Sequence, residues 1–223
     1  MLGVAVHNAC SGGADTPPAA GSASSPSAPP TGWQRVNLSF VSAYLLVRGS
    51  EAAIVDLGTE GSADAIGQGL AAAGSSFAAV RHVVLTHKHD DHAGGLGGVA
   101  PQAAKATFYT GKDDVAGIAT DKPLTGLADG DEVFGLRVVG TPGHTFGHIS
   151  IFDPSTGTLV AGDALRTTDG LAGSDPQYTE DQAGAAASVK KLATLDVRTI
   201  LPGHGDPLTT GAADALRKLA ASL

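Results

Sequence analysis

Short apolar runs separated by polar, glycine-containing turns make up most of the chain, and they predict β-strands. Other stretches carry apolar residues at helical spacing; the first of these has Ser62 as a candidate capping residue and Gly74 as its stop. We expect strands at residues 33–47, 51–57, 80–85, 106–109, 131–139 (interrupted at Gly135), 149–152, 158–160 and 197–201. We expect helices at residues 62–73, 112–118, 180–194 and 212–223.

The order of these elements indicates the fold class. Strands interspersed with helices in this order favour two β-sheets packed face to face with helices on the outer faces, which is a four-layer αββα sandwich of the α/β class. A chain of 223 residues is long enough to bury the core of one such domain, and we assign that domain to residues 33–223.

The N-terminal part of the chain has a different composition. Ser, Pro, Ala and Gly dominate residues 11–32, so residues 1–32 are expected to form a disordered tether that cannot bury enough apolar surface to fold. Cys10, followed by Ser11 and two glycines, is similar to the mature start of a bacterial lipoprotein, although the residues before it fit a cleavage box poorly. The chain as given is expected in the cytoplasm; the alternative is an extracytoplasmic lipoprotein anchored at Cys10, if the natural start lies upstream.

Charge and cysteine content exclude several classes of function. The 14 basic and 22 acidic side chains give a net charge of −8, which argues against a nucleic-acid or anionic-membrane surface. Cys10 is the one cysteine in the sequence, so neither a disulfide framework nor a cysteine-rich zinc site is possible. No stretch approaches the roughly 18 apolar residues of a membrane span. The oligomeric state is left open.

A cluster of metal-ligand residue types follows the apolar run at residues 80–85. His87, His89, Asp91 and His92 stand within six positions where that strand should end. Imidazole and carboxylate are ligands that divalent metals such as Zn²⁺ prefer, and the end of a buried strand is a rigid support for them. The spacing predicts the first half of a two-metal site.

Three further candidates stand after apolar runs in the second half of the chain. His144, Asp163 and His204 each follow a predicted strand, and each is flanked by glycine, which lets the backbone turn tightly and an ion approach. Each signal is weak alone, because a Gly-His pair is usually only a turn. Together with the first cluster they indicate one site at the ends of several strands.

These motifs resemble the metallo-β-lactamase-fold hydrolase superfamily, including its glyoxalase II-like and lactonase-like branch, over roughly residues 33–210. The H-x-H-x-D-H signature and the three later positions stand at His87, His89, Asp91, His92, His144, Asp163 and His204. The resemblance implies one metal held by His87, His89 and His144, a second held by Asp91, His92 and His204, and Asp163 bridging the two. The implied cofactor is two Zn²⁺ ions, with iron or manganese as alternatives.

The resemblance also implies a reaction. A hydroxide bridging the two metals would attack the carbonyl of a small acyl substrate, with Asp91 as catalytic proton shuttle, which makes the protein an ester, thioester or lactone hydrolase. Asp163 makes a β-lactamase less favoured, because true metallo-β-lactamases generally lack an aspartate at that position. The hypothesis of homoserine-lactone cleavage is weakened by Arg166, which stands where those lactonases place a tyrosine. The hypothesis of glutathione-thioester cleavage is weakened because only a short sequence follows His204. An iron-dependent oxygenase of the persulfide dioxygenase type and a non-catalytic metal-binding protein remain alternatives.

Several other residues have both a structural and a functional interpretation. His148 and His82 are expected to be structural, with metal-site support or a substrate contact as the alternative for His148, and Asp90 is expected to shape its loop. Asp56 is equally compatible with orienting a ligand histidine. The candidates for lining a substrate pocket are Tyr44, Arg166 and Tyr178.

Overall fold

The structure is a computed structural model, and it describes residues 1–3 and 32–223. Most of the predicted tether, including Cys10, lies outside these residues. No helix within the described residues is long and apolar enough to cross a bilayer.

The first β-sheet has six strands in chain order. Its first three strands run antiparallel, and the last four run parallel to one another, so that the third strand belongs to both groups. The strands are β1 (Trp33–Leu38), β2 (Val41–Arg48), β3 (Glu51–Val55), β4 (Val80–Leu85), β5 (Thr107–Gly111) and β6 (Leu124–Leu127).

The remaining strands form a second sheet and a small two-stranded ribbon. They are β7 (Glu132–Val133), β8 (Leu136–Gly140), β9 (Ile149–Asp153), β10 (Thr158–Gly162), β11 (Leu165–Arg166), β12 (Ala172–Gly173) and β13 (Thr199–Pro202). The second sheet has the order β13-β10-β9-β8-β7, with β10 and β13 parallel and the other neighbours antiparallel. The ribbon pairs β11 with β12.

Helices cover the outer faces of both sheets. The α-helices are α1 (Ala63–Ala72), α2 (Asp90–Ala93), α3 (Leu96–Gln102), α4 (Gln182–Leu192) and α5 (Ala212–Ala221). Short 3₁₀ turns occur at Phe77–Ala79, Lys112–Gly117 and Pro176–Tyr178.

Alternation along the strands assigns side chains to three apolar layers. On β2, Ala43 and Leu45 pack with α1 and α3, whereas Tyr44 and Leu46 pack against the second sheet. On the second sheet the same alternation separates Val160, which faces the first sheet, from its neighbours, which face α4 and α5. The predicted four-layer αββα sandwich is therefore confirmed.

Some element boundaries differ from the sequence prediction. The predicted strand at residues 33–47 is two strands, because Ser39 has φ 77° in a turn that leaves Phe40 59% exposed. The predicted helix at residues 112–118 is a 3₁₀ turn, and β6 was not predicted. Ser62 precedes α1 as expected, but its hydroxyl donates to the Leu57 carbonyl and does not cap the helix.

The carboxyl ends of the parallel strands open toward one edge of the sandwich, where loops from both sheets meet. Backbone hydrogen bonds join the sheets there: the Ile149 amide donates to the Thr86 carbonyl at 2.9 Å, and the Ser42 amide donates to the Gly203 carbonyl at 2.9 Å. Parallel strand ends of this kind often carry binding sites, because their loops are held by a rigid framework.

The apolar layer between the sheets should contribute to the stability of the fold. Leu136, 1% exposed and packed between the sheets, is expected on replacement by Ala to lower the free energy of unfolding by about 2–5 kcal/mol, because a cavity replaces its side chain. Chemical denaturation measures this. Leu223→Ala is the matched control at a 51% exposed residue and should change stability by less than about 0.5 kcal/mol. Equal effects of the two substitutions would contradict the packing described.

Candidate metal centre

The loop after β4 is held in place by buried carboxylates. Asp56 accepts hydrogen bonds from the Thr86 amide at 2.7 Å, from the Thr86 hydroxyl at 2.9 Å and from His92 Nδ1 at 2.8 Å. Its backbone lies in the left-handed region with φ 62°, which a short polar side chain tolerates better than most. Of the two interpretations of Asp56, the structure favours orientation of a histidine.

The structure brings all seven predicted ligand residues to one edge of the sandwich. Three groups have ligand atoms within 4.8 Å of one another: His87, His89 and His144; His87, Asp91 and His92; and His92, Asp163 and His204. The first group is the expected triad of one metal, and the others contain the residues expected around the second. That these residues bind metal remains a prediction.

Asp163 lies between the two histidine groups. Its Oδ2 is 3.4 Å from His144 Nε2 and 3.2 Å from His204 Nε2, and its Oδ1 is 3.1 Å from His92 Nε2. Asp91 approaches only the second group, with Oδ2 3.2 Å from His204 Nε2 and 3.6 Å from His92 Nε2. This arrangement is compatible with a carboxylate shared between two cations.

Hydrogen bonds on the outside of the cluster turn four imidazoles the same way. Nδ1 of His87 lies 3.0 Å from Thr86 Oγ1, and Nδ1 of His92 lies 2.8 Å from Asp56 Oδ2. Nδ1 of His144 lies 2.9 Å from Ser174 Oγ, and Nδ1 of His204 lies 2.8 Å from the Phe40 carbonyl oxygen. The Asp56 carboxylate and the Phe40 carbonyl can only accept, so Nδ1 of His92 and of His204 carries a proton. The Thr86 hydroxyl already donates to Asp56 and therefore accepts from His87 Nδ1, so Nε2 of these rings faces the centre.

In the part of the chain that the structure describes, two of the atoms facing the centre lack hydrogen-bond partners, and three others have only one another. His92 Nε2 and Asp163 Oδ1 are buried without a hydrogen-bond partner among the described residues, and their 3.1 Å approach lacks hydrogen-bond geometry. His89 Nδ1 lies 3.2 Å from His87 Nε2 and 3.0 Å from His144 Nε2, so three ring nitrogens converge. Buried polar atoms are seldom left in this way, and a cation satisfies all of them at once. The residues therefore fit one or two divalent metals, and imidazole and carboxylate suit iron as well as zinc.

Burial and charge divide the histidines into two kinds. Burial lowers the pKa of His87 well below its usual value and that of His144 to about 4, so both are neutral. Hydrogen bonds to the carboxylates of Asp163 and Asp91 raise the pKa of His204 to about 10. Burial opposes the charged form of His92, yet the carboxylates of Asp163 and Asp56 raise its pKa well above the usual value. Without a cation, protons on these two histidines compensate the carboxylates.

A second outer contact fixes the backbone of Asp163. Its amide donates to His148 Nε2 at 3.0 Å, so the Nδ1 atom of His148 carries the proton and donates to Thr141 Oγ1 at 2.8 Å. Burial lowers the pKa of His148 to about 3, which keeps the ring neutral. Gly162 leaves the space: a Cβ there would lie 2.8 Å from His148 Nε2, and its φ is +52°. His148 therefore supports the site by holding the backbone of Asp163. From the sequence, this was the less favoured of its interpretations.

Asp114 is a supporting residue that the sequence analysis missed. This fully buried carboxylate accepts from the Lys88 amide at 3.0 Å, the Thr145 hydroxyl at 2.6 Å and the Gly147 amide at 3.0 Å. It thereby ties the loop of His87 and His89 to the loop of His144. Its only sequence signal is an acidic pair after a strand, which gives no indication of burial.

A cavity of about 560 Å³ opens beside the cluster. Besides residues of the cluster it is lined by Phe40, Arg166, Thr168, Asp175 and Tyr178. Arg166 and Tyr178, which the sequence offered as candidates for lining a substrate pocket, therefore line this cavity.

The remaining candidates lie apart from this cavity. Tyr44 is buried, and its hydroxyl donates to the Pro202 carbonyl at 2.8 Å, so it belongs to the core. His82 lies half-buried on β4 beside Tyr109, and Asp90 is exposed at the start of α2. The position of His82 agrees with the structural role expected of it, and the loop-shaping role of Asp90 stays a prediction.

Comparison with known proteins gives relatives of one kind. Residues 36–204 match the sequence profile of the metallo-beta-lactamase superfamily. Metallo-beta-lactamase domain-containing protein 1 of Xenopus laevis is 34% identical over 174 residues, covering 73% of this chain and 70% of that protein. Hydroxyacylglutathione hydrolase of Dechloromonas aromatica is 29% identical over 174 residues, covering 74% of this chain and 60% of that protein.

Solved structures agree with these relatives. The metallo-beta-lactamase family protein TTHA1429 of Thermus thermophilus superposes with a TM-score of 0.70 at 26% identity, covering 86% of this chain and 79% of that chain. TTHA1623, solved in a di-iron-bound form, gives a TM-score of 0.64 at 27% identity, covering 82% and 95%. The family profile matches well over half of the residues, including every predicted ligand. The chain belongs to the metallo-beta-lactamase superfamily.

Proposed function

We propose that this protein is a dinuclear zinc-dependent hydrolase that cleaves an ester, thioester or lactone bond of a small acyl substrate. The observation that carries the proposal is the position of Asp163, whose carboxylate lies within 3.4 Å of His144 in the first histidine group and of His92 and His204 in the second. A site for one cation would need only one of these groups. The hydroxyacylglutathione hydrolase among the relatives acts on an acyl bond, which supports this class of reaction.

Two sets of residues would hold the cations. The first set is His87, His89 and His144, the second is Asp91, His92 and His204, and Asp163 would be shared. When bound, the two cations would supply a water activated at neutral pH and positive charge that polarises the acyl carbonyl. Zinc agrees with the donor set, and the di-iron form of TTHA1623 makes iron the metal to test beside it.

The chain's own residues position the substrate and move the proton. A substrate in the cavity would lie against Asp91, whose side chain is 28% exposed and lies 3.2 Å from His204 Nε2. A carboxylate at this position can hold a proton and pass it to the leaving group, which is general acid catalysis. Phe40 and Tyr178, each 59% exposed, offer apolar surface at the cavity for the organic part of the substrate.

The outer hydrogen bonds reduce the reorganisation that the reaction needs. Asp56 and the other partners of the imidazoles hold the ring nitrogens toward the centre before any substrate arrives, and His148 holds the backbone of Asp163. Preorganised groups of this kind stabilise developing charge without rearranging during the reaction.

Metal analysis combined with a substrate panel tests the proposal. Protein purified without added metal would be analysed for zinc, iron and manganese and assayed on a thioester, a homoserine lactone, an aryl ester and the β-lactam nitrocefin. We expect about two zinc ions per chain and chelator-sensitive cleavage of one of the first three substrates. One iron per chain with no acyl cleavage would contradict the proposal and favour oxygen-dependent chemistry.

Removal of one histidine of the second set should release the second cation and leave the first one bound. His204→Ala is expected to lower the metal content from about two ions per chain to about one, because the first set keeps its three imidazoles. Metal analysis after dialysis measures this. His82→Ala removes a half-buried histidine on β4 and should leave the content unchanged. Loss of both ions from His204→Ala would show that the two sets do not bind independently.

Metal binding should release protons. The pKa of His204 is raised to about 10 and that of His92 is also raised, so both are protonated at pH 7 and must lose a proton to bind a cation. The apparent affinity for the second ion should therefore rise with pH between 7 and about 10, by about tenfold per pH unit for each proton displaced. Zinc titrations against a competing chelator at several pH values measure this, and a pH-independent affinity would contradict the charge assignment.

Replacement of Asp91 should affect turnover more than substrate binding. In Asp91→Ala we expect kcat to fall by about a hundredfold or more, because the proton donor is lost, while KM changes by less than about threefold. Steady-state kinetics at a metal content matched to wild type separate the two parameters. A rise in KM at unchanged kcat would assign Asp91 to substrate binding.

A further inference from the structure

The wall segment, defined as residues 173–181, lines the cavity and also contacts a predicted ligand. Asp175 and Tyr178 belong to the lining of the cavity. From the same segment, the hydroxyl of Ser174 lies 2.9 Å from Nδ1 of His144, on the side of the ring that faces away from the cluster.

The backbone of the wall segment is fixed to the loop that carries His144. The Glu180 amide donates to the His144 carbonyl at 3.1 Å, and the Asp181 amide donates to the Gly143 carbonyl at 2.9 Å. The Glu180 carboxylate accepts from the Phe146 amide at 3.0 Å and pairs with Lys88 at 2.6 Å. The C-terminal end of the wall segment is therefore tied to the loop of His144 by several independent contacts.

The donor and the acceptor of each hydrogen bond in this region can be assigned by starting from the Asp175 carbonyl, which can only accept. The Thr179 hydroxyl donates to the Asp175 carbonyl at 2.6 Å, and a carbonyl cannot donate in return. The single proton of Thr179 is thus used, so Ser174 must donate to Thr179 across their 2.6 Å contact. Ser174 then has only its lone pairs left for His144, so His144 donates from Nδ1 and its Nε2 presents a lone pair to the cluster.

We propose that Ser174 and Thr179 are positioning residues that hold His144 in its metal-binding tautomer and orientation, and that they couple the wall of the substrate cavity to the metal centre. The inference rests on the proposed metal site. Outer partners of ligand histidines raise ligand basicity and fix the ring, and their loss typically weakens metal binding by about 10–100-fold. Because such coupling is reciprocal, a cation at His144 should also favour the ordered wall segment.

The test compares replacement of the serine that contacts the His144 ring with replacement of a serine that contacts only the backbone of the same loop. Ser174→Ala removes the partner of Nδ1, and Ser174→Thr keeps a hydroxyl. Ser188→Ala is the matched control, because the Ser188 hydroxyl donates to the Pro142 carbonyl of the same loop at 2.7 Å without touching the ring. Thr179→Val removes the acceptor that fixes the Ser174 proton. Zinc affinity by chelator competition and the absorption spectrum of the cobalt-substituted protein are measured for each variant.

We expect Ser174→Ala to weaken binding of the first ion by about tenfold or more and to alter the cobalt spectrum. Ser188→Ala and Ser174→Thr should stay near wild type, and Thr179→Val should show a smaller loss than Ser174→Ala. Equal affinities and spectra for Ser174→Ala and Ser188→Ala would overturn the proposal, even if both lower thermal stability.

The readout distinguishes this inference from the proposed function. It measures binding and not turnover, so a wild-type protein that binds zinc and cleaves no acyl substrate contradicts only the proposed reaction. A wild-type protein that binds no divalent cation contradicts both. Normal metal binding and hydrolysis with no effect of Ser174→Ala contradict only the role of Ser174.

Discussion

The central constraint on this structure is the convergence of imidazole nitrogens and carboxylate oxygens on one centre. Their lone pairs do not attract one another unless a positive charge lies between them. Imidazole nitrogens and two carboxylates face a common centre, and some of them are buried without hydrogen-bond partners in the described part of the chain. Such an arrangement is unfavourable by itself because desolvated polar groups lose their water. Two packed sheets with loops at one edge provide the rigidity that holds it together.

That rigidity depends on a layer of hydrogen bonds outside the ligands. Asp56, Asp114, His148 and Ser174 come from four different segments, and each holds the backbone or the outer ring nitrogen of a predicted ligand residue or its loop. The donors and acceptors are arranged so that the outer nitrogens of the rings are engaged and the opposite nitrogens face the centre. The same edge also contains the cavity, so substrate and metal would meet at one preorganised place.

Sequence alone predicted the fold class and the seven candidate ligand residues that the structure brings to one edge, because both depend on local patterns. His144, Asp163 and His204 follow buried strands directly, and glycine neighbours mark the turns. Asp114 and Ser174 gave no comparable signal, since their partners lie far along the chain and are set only by tertiary packing. The break in the first predicted strand was missed because Ser39 adopts a positive φ without being glycine.

Anomalous scattering from crystals of the metal-loaded protein tests the central claim most directly. At the zinc edge, the account predicts two peaks in each chain. One should lie among His87, His89 and His144, the other among Asp91, His92 and His204, with Asp163 contacting both. A single peak at the first set, with His92 and His204 still paired to the carboxylates, would contradict the dinuclear centre.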